Sequence, residues 1–234
     1  MERYTIQAVI CDMDGTAAFR DTHDASYSTF FRHMGLEDQA QAITDRYNDN
    51  VRNMMTPDDH QRQFSEAVAL LRGRRAPTPR EIYPRIPYAP GFQEFQAYLR
   101  SQEVSTGIVT LSLLTAANLI REEMGMQLVY ANEIDVQEGF FTGIGKLHVR
   151  FGSKGVMVQQ AVAALGSTAE RTAYIGDSLN DADPWKAVAL PLGVNLHHPD
   201  CKQYVHASFT DFHGILDFLK KNVDLEGRIR ERAV

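Results

Sequence analysis

Two aspartates one residue apart, Asp12 and Asp14, stand directly after the apolar run Ala8 to Cys11 and directly before Gly15. Carboxylates that close repel each other. The pair therefore suits either a hard cation held between the acids or one carboxyl kept protonated for acid chemistry. A second acidic group, Gly176-Asp177-Ser178-Leu179-Asn180-Asp181, follows a second apolar run, Thr172 to Ile175. Thr110 and Ser112 follow a third run, Thr106 to Val109, and Lys154 heads a helix-forming segment. So many carboxylates with a single lysine cannot bind a phosphate unaided. A magnesium ion would neutralise the acids and face the phosphate oxygens, leaving Lys154 and the Thr110 hydroxyl to hold the remaining ones. A plain Asp-Gly turn explains little of this. A calcium loop would need Glu at its twelfth position, where this chain has His23, and a later glycine.

These groups converge only if the apolar runs are neighbouring strands of a parallel sheet, because ligands bind outside the carboxyl ends of such strands. Ala8 to Cys11 is continuously apolar, as a strand covered on both faces should be. Gly15 then lets the backbone turn away without a side chain in the site. From Thr16 to about residue 104 there is almost no strand pattern. Helices are expected over Ala25 to Met34, stopped by Gly35, and over Glu37 to Arg52. Thr56-Pro57-Asp58-Asp59 starts a third, running to about Arg72, and Thr78-Pro79-Arg80-Glu81 is a capping box for a short fourth. Pro84, Pro87 and Pro90 make a stiff connector. Residues 17–88 thus read as an inserted helical cap domain, and 1–16 with 89–234 as the core.

From Gly91 strands and helices alternate. Phe92 to Leu99, Thr115 to Met124, Ser153 to Leu165 and Asp211 to Lys221 read as helices. Leu128 to Ala131 and Val188 to Leu192 read as strands, and Phe140 to Gly143 as part of a hairpin. The expected fold class is α/β, a Rossmann-like parallel sheet core with right-handed crossovers and the helical cap inserted.

The chain has 234 residues and a net charge of −6, with its basic residues scattered. That disfavours nucleic-acid and membrane surfaces and favours a small or compact partner; oligomeric state is left open. The two cysteines, Cys11 and Cys201, lie far apart and outside any zinc spacing, which points to a reducing compartment. With no leader pattern ahead of the first strand and no run of about eighteen apolar residues, the expected location is cytoplasmic.

The strand followed by Asp-Met-Asp-Gly-Thr, the strand-end Thr110, Ser153-Lys154-Gly155 and Gly-Asp-Ser-Leu-Asn-Asp together resemble the four motifs of the haloacid dehalogenase superfamily. Val129-Tyr130-Ala131-Asn132-Glu133, followed by Gly139-Phe140-Phe141-Thr142-Gly143, is similar to its phosphoserine-phosphatase-like branch, whose helical cap is inserted just after the first motif. The resemblance implies a magnesium-dependent phosphatase hydrolysing a small phosphorylated metabolite through an aspartyl-phosphate. It implies Asp12 as nucleophile, and Asp14 as acid for the leaving alcohol and then base for water. It implies magnesium held by the Asp12 side chain, the Asp14 backbone carbonyl and Asp177, supported by Asp181 and Asn180, with Lys154 and Thr110 on the phosphoryl group. Superfamily members that cleave haloalkanoates lack the acid two residues after the nucleophile, so Asp14 argues for phosphoryl transfer.

In that branch the second motif usually reads Ser-Gly-Gly, where this chain has Thr110-Leu111-Ser112. On the cap, Asp21 stands near the position of a substrate-recognising acid. The expected cap arginine aligns close to Ser65, with Arg62 one turn away as the candidate. Two other functions fit the same fold: a phosphotransferase or phosphosugar mutase, and a non-catalytic regulatory binding protein. The complete acid set argues against the last, because a pure binder has no need of the acid Asp14.

Weaker features invite structural readings. Gly143-Ile144-Gly145-Lys146 lacks full phosphate-loop spacing and suits a hairpin turn. Adjacent residues in His197-His198-Pro199-Asp200-Cys201 cannot easily point at one ion. Arg72-Gly73-Arg74-Arg75 reads as a solvated loop, and Arg228, Arg230 and Arg232 as a frayed tail.

Overall fold

A computed structural model describes residues 4–20, 25–48 and 55–227. Its centre is a seven-stranded sheet in the order β5-β4-β3-β2-β6-β7-β8. The members are β2 (Ala8–Cys11), β3 (Ser105–Leu113), β4 (Leu128–Gln137), β5 (Phe140–Lys146), β6 (Thr172–Gly176), β7 (Leu190–Val194) and β8 (Ala207–Phe209). Every pairing is parallel except that of β4 with β5. β2, which carries the first aspartates, is therefore the middle strand, flanked by the strands that lead to Thr110 and Asp177.

The unbroken apolar run of β2 follows from this position. Val9 and Cys11 enter the core on one face of the sheet with Phe92, Phe95, Ile120 and Phe212. Ala8 and Ile10 enter the other with Val158, Val162, Tyr174 and Trp185. A strand buried on both faces has no solvent side on which to place polar residues. The helices behind these cores are α5 (Phe92–Ser101), α6 (Leu114–Met124) and α9 (Phe212–Asn222) on the first face, and α7 (Lys154–Ala164) and α8 (Ala182–Lys186) on the second. A separate parallel pair, β1 (Tyr4–Ile6) with β9 (Val223–Leu225), ties the two ends of the described chain.

Between β2 and β3 lie α1 (Ser26–His33), α2 (Glu37–Tyr47), α3 (Pro57–Ala69) and α4 (Pro79–Ile82). The start of α3 is set by Thr56, whose hydroxyl accepts from the Asp59 N–H, and α4 opens on the expected capping box at Thr78 and Glu81. The chain leaves and re-enters the core on adjacent paths. The Phe19 N–H donates to the Pro87 carbonyl at 3.1 Å, and the Ala89 N–H to the Ala17 carbonyl at 2.9 Å. Glu123 on α6 adds a tie, accepting from Tyr88 at the re-entry path and pairing with Arg80 on α4.

Two segments differ from the sequence reading. Gly143 to Lys146 lies inside β5, and the turn of the hairpin is at Glu138-Gly139, both with positive φ. The Arg72–Arg75 segment is an exposed turn, as a solvated loop should be, but its backbone is not free. The Gly73 N–H donates to the Phe141 carbonyl and the Phe141 N–H to the Arg74 carbonyl, each at 2.9 Å, so the segment extends the outer edge of β5. That edge offered free backbone groups, and pairing satisfies them. Arg228, Arg230 and Arg232 lie outside the described residues.

Candidate active site

β2 ends at Cys11, and the Asp12 N–H still bonds across to the Ile175 carbonyl of β6 at 2.9 Å. The Asp12 side chain is thereby fixed at the carboxyl edge of the middle strand. One of its oxygens accepts from the Met13 N–H at 2.7 Å, and the other meets the Lys154 ammonium at 2.7 Å. Lys154 heads α7 and is 1% exposed. It also reaches Asp181 at 2.7 Å. Burial opposes the Lys154 charge, but the two carboxylates outweigh it and hold the amine above its ordinary pKa. Burial lifts the Asp12 carboxyl to about 6 despite the lysine beside it, with the nearby Asp181 charge adding to the rise.

Asp177 follows β6 directly, and its Oδ1 accepts from the Thr16 hydroxyl at 2.6 Å. Burial, then Asp181 and Asp12, push its carboxyl well above the usual range. Gly15 explains itself here. Its φ is +78°, and a Cβ would stand 2.4 Å from an Asp177 oxygen, so no other residue fits.

Asp181 is fully buried and fully bonded. Its Oδ1 accepts from Lys154 and from the Tyr174 hydroxyl, both at 2.7 Å, and its Oδ2 from the N–H groups of Asp177 and Ser178 at 3.0 and 3.2 Å. It braces the loop that carries Asp177.

One oxygen from each of Asp12, Asp177 and Asp181 lies within 4.8 Å of the others. Three buried carboxylates face one buried ammonium, and the surplus negative charge is costly at such depth. The donor set is all oxygen, which fits a hard divalent cation. Beside it the Asn180 side-chain oxygen is buried without a hydrogen-bond partner, a further vacant acceptor at the site.

Asp14 turns the other way, towards the inserted helices. Its carboxylate accepts from the Ser26 N–H at 3.0 Å and the Ser26 hydroxyl at 2.8 Å, and that hydroxyl lies 2.6 Å from the Ser112 hydroxyl. Burial raises the Asp14 carboxyl, and the Ser26 bonds act against the rise. Thr110, 2% exposed, accepts from the Ser112 N–H at 3.2 Å. The irregular last stretch of β3 after it is held by the fully buried Asn132, whose amide donates to the Leu111 carbonyl at 2.7 Å and to the Val149 carbonyl at 3.0 Å.

Asp12, Asp14, Thr110, Asp177 and Asn180 line one cleft of about 760 Å³ whose far wall is the inserted helices. That wall includes Tyr27, Thr44, His60, Gln63 and Phe64. Arg62 is not part of it. Its side chain is 68% exposed, 4.0 Å from Asp59. On α3 the inward stripe is His60, Gln63, Phe64, Ala67 and Val68, so Arg62 and Ser65 fall on the outer face. Asp21 lies outside the described residues. The residues that face the cleft instead are Gln63, whose amide donates to the Tyr27 and Thr44 hydroxyls at 3.0 and 3.1 Å, and His60. Their signal was the 3.6-residue period with polar residues on its buried face. His197 also lines the cleft and approaches Asp177, whereas the neighbouring His198 accepts from the Asp200 N–H.

The phosphoserine phosphatase of Streptomyces coelicolor is 25% identical over 197 residues, 83% of this chain and 45% of that protein. That of Methanocaldococcus jannaschii is 23% identical over 185 residues, 79% of this chain and 83% of that protein. The chain spans less than half of the first of these relatives and 63% of a third, from Idiomarina loihiensis. Among solved structures, a phospho-aspartyl intermediate analogue of phosphoserine phosphatase superposes with a TM-score of 0.71 at 20% identity, covering 92% of this chain and 99% of that one. Among the described residues no helix is long and apolar enough to cross a membrane. A family model for the haloacid dehalogenase-like hydrolases matches residues 9–183, about three quarters of the sequence and both acidic clusters, and the chain belongs to that family.

Proposed function

We propose that the protein is a magnesium-dependent phosphatase that hydrolyses a small phosphate monoester through an aspartyl-phosphate on Asp12. The observation that carries this reading is the placement of Asp12. Its carboxylate stands at the end of the middle strand, between Lys154 and Asp177, on the floor of the cleft, with a second acid at Asp14 directed to the opposite wall.

The Asp12 side chain, the Asp14 main-chain carbonyl and Asp177 would hold the ion, which when bound supplies charge neutralisation for the phosphate oxygens. Lys154 and the Thr110 hydroxyl hold the phosphoryl group. An Asp12 oxygen bonds to phosphorus as the ester P–O bond breaks, and the leaving oxygen takes the proton of Asp14. In the second half Asp14 removes a proton from water, whose oxygen bonds to phosphorus as the Asp12–phosphorus bond breaks. Inorganic phosphate and the free Asp12 carboxylate result. The first half needs bulk water kept away while the second admits one water molecule, and we take residues 17–88 as the cap that closes over the bound ester and selects the leaving group.

The names of the relatives make phosphoserine the first substrate to try. Apart from the buried Lys154, Arg20 is the one arginine or lysine among the described cleft residues; its guanidinium donates to the Thr210 carbonyl at 2.8 Å, and it would have to leave that bond to meet a substrate carboxylate. The test separates the two acids. With an aryl phosphate, whose leaving group needs no proton, Asp14→Asn should still be phosphorylated but hydrolyse the adduct about 100- to 10,000-fold more slowly. Intact-mass measurement after acid quench should show one added phosphate in Asp14→Asn and none in Asp12→Asn. An adduct in both variants would mean that the nucleophile is elsewhere.

A further inference from the structure

We propose that His197 is a positioning residue for the cation site, fixing the Asp177 carboxylate in the orientation that receives the divalent ion. The inference rests on the reading of Asp177 as a ligand given above, and it adds a residue from outside the four motifs.

His197 comes to the site because the chain doubles back after β7. Asn195 has φ of +50°, in the left-handed region, and its N–H bonds to the Phe209 carbonyl at 2.9 Å. The turn brings the His197 N–H to the Asp177 main-chain carbonyl at 3.0 Å and the His197 Nδ1 to the Asp177 Oδ2 at 3.3 Å. On the other side of the ring, Nε2 lies 3.1 Å from the Asn195 amide nitrogen, which can only donate. Nε2 is thus the acceptor, and Nδ1, the nitrogen on the Asp177 side, carries the ring hydrogen.

The Asp177 carboxylate is therefore met on both oxygens, by the Thr16 hydroxyl bonded to Oδ1 and by the His197 ring standing 3.3 Å from Oδ2. Turning the carboxylate about its terminal bond breaks one of these contacts. Each oxygen still has a second lone pair, so the clamp aims the group without consuming it. Asp12 is held by Met13 and Lys154 in the same manner. A histidine that merely closed the loop would have its main-chain bond and no reason to present Nδ1 to a carboxylate. Partners of this kind typically change metal affinity by about 10- to 100-fold when removed.

The test is calorimetric titration of magnesium into the metal-stripped full chain, which does not depend on turnover. His197→Ala should weaken magnesium binding by about 10- to 100-fold. His197→Asn, whose amide nitrogen takes the place of Nδ1, should recover most of the loss. The magnesium concentration for half-maximal turnover should shift by the same factor. Far-UV circular dichroism identifies any variant that fails to fold, and His197→Asn then carries the comparison against His197→Gln, whose amide lies too far out to reach Asp177. Asp177→Asn separates the two layers of the argument. Magnesium binding lost in Asp177→Asn but intact in His197→Ala overturns the role of His197 alone. Binding intact in both overturns the cation site itself.

Discussion

The Asp14 carboxylate receives both the N–H and the hydroxyl of Ser26, the first residue of α1, at 3.0 and 2.8 Å. The acid proposed to protonate the leaving group is thus bonded to the first helix of the cap rather than to the core. A carboxylate at a helix N-terminus also gains from the aligned peptide dipoles. The Tyr83 hydroxyl donates to the Ser26 carbonyl at 2.7 Å, so the α1 end is itself pinned from α4. Any movement of the cap must break these bonds or carry Asp14 with it.

From this link, Ser26→Ala should slow alkyl phosphates more than aryl phosphates. The substitution removes the hydroxyl bonds to Asp14 and Ser112 and leaves the N–H bond in place. Asp14 is then less well held, which matters only where the leaving oxygen needs a proton. Stability should fall by about 1 kcal/mol, the usual net value of a hydrogen bond. The ratio of kcat/KM for the two ester types is the measurement, and an unchanged ratio would show that Ser26 does not serve Asp14.

Asp181→Ala should be among the most destabilising single changes in the core. It strips a buried lysine of one of its two carboxylates and leaves the Tyr174 hydroxyl and two main-chain N–H groups without their acceptor. Lys154 keeps Asp12, so the cost lies in the buried donors left without an acceptor, about 1–3 kcal/mol each. Asp181→Asn keeps one acceptor oxygen and should cost less. Urea unfolding midpoints rank the two, and equal midpoints would contradict the bracing role.

Much of this site was legible because strand ends in a parallel sheet share an edge. Once the runs ending at Asp12, Thr110 and Asp177 were taken as neighbours, the convergence with Lys154 followed from topology. The cap wall was another matter. Arg62 was the arginine nearest the position where the resemblance expects one, yet one residue further along α3 the neutral Gln63 is the side chain that faces the cleft, and helix phase decides that. His197 was hidden for a different reason. Its approach to Asp177 depends on the left-handed turn at Asn195, which no apolar period announces. β4 extends to Gln137, well past the expected Ala131, because a hairpin partner continues the ladder beyond the buried segment.

Magnesium should stabilise the fold, and chelation should remove that gain. The surplus of buried carboxylates over Lys154 is relieved in the folded state alone, because the unfolded chain does not bring the acids together. At one hundred times its dissociation constant, a ligand specific to the folded state adds about 2.7 kcal/mol. For a chain of this size that is a rise of roughly 5–10 °C in Tm. Scanning calorimetry with magnesium and with chelator is the check. Asp177→Asn should show little of the rise, and a full rise in that variant would place the ion elsewhere.

The last prediction concerns His60 and acid. Its ring is 5% exposed, stacked edge-on against Phe151 at 4.9 Å, and its Nδ1 accepts from the Phe151 N–H at 3.4 Å. Burial, helped by the Arg150 charge, lowers its pKa from 6.5 to about 4. Above pH 6.5 the ring is neutral whether the chain is folded or not, and it contributes no pH dependence. As the pH falls below 6.5 the unfolded chain gains a proton that the folded chain refuses until about 4, so stability declines across that window and levels off beneath it. Two and a half pH units at 1.36 kcal/mol each give a loss of about 3 kcal/mol as an upper figure. His60→Asn keeps an acceptor for the Phe151 N–H and cannot titrate, so its stability should fall less steeply over the same range. Urea denaturation from pH 7 to 4 on both proteins measures the difference directly. Parallel curves would mean that His60 is protonated inside the fold, and that the cap wall beside Gln63 carries a positive charge at mildly acid pH.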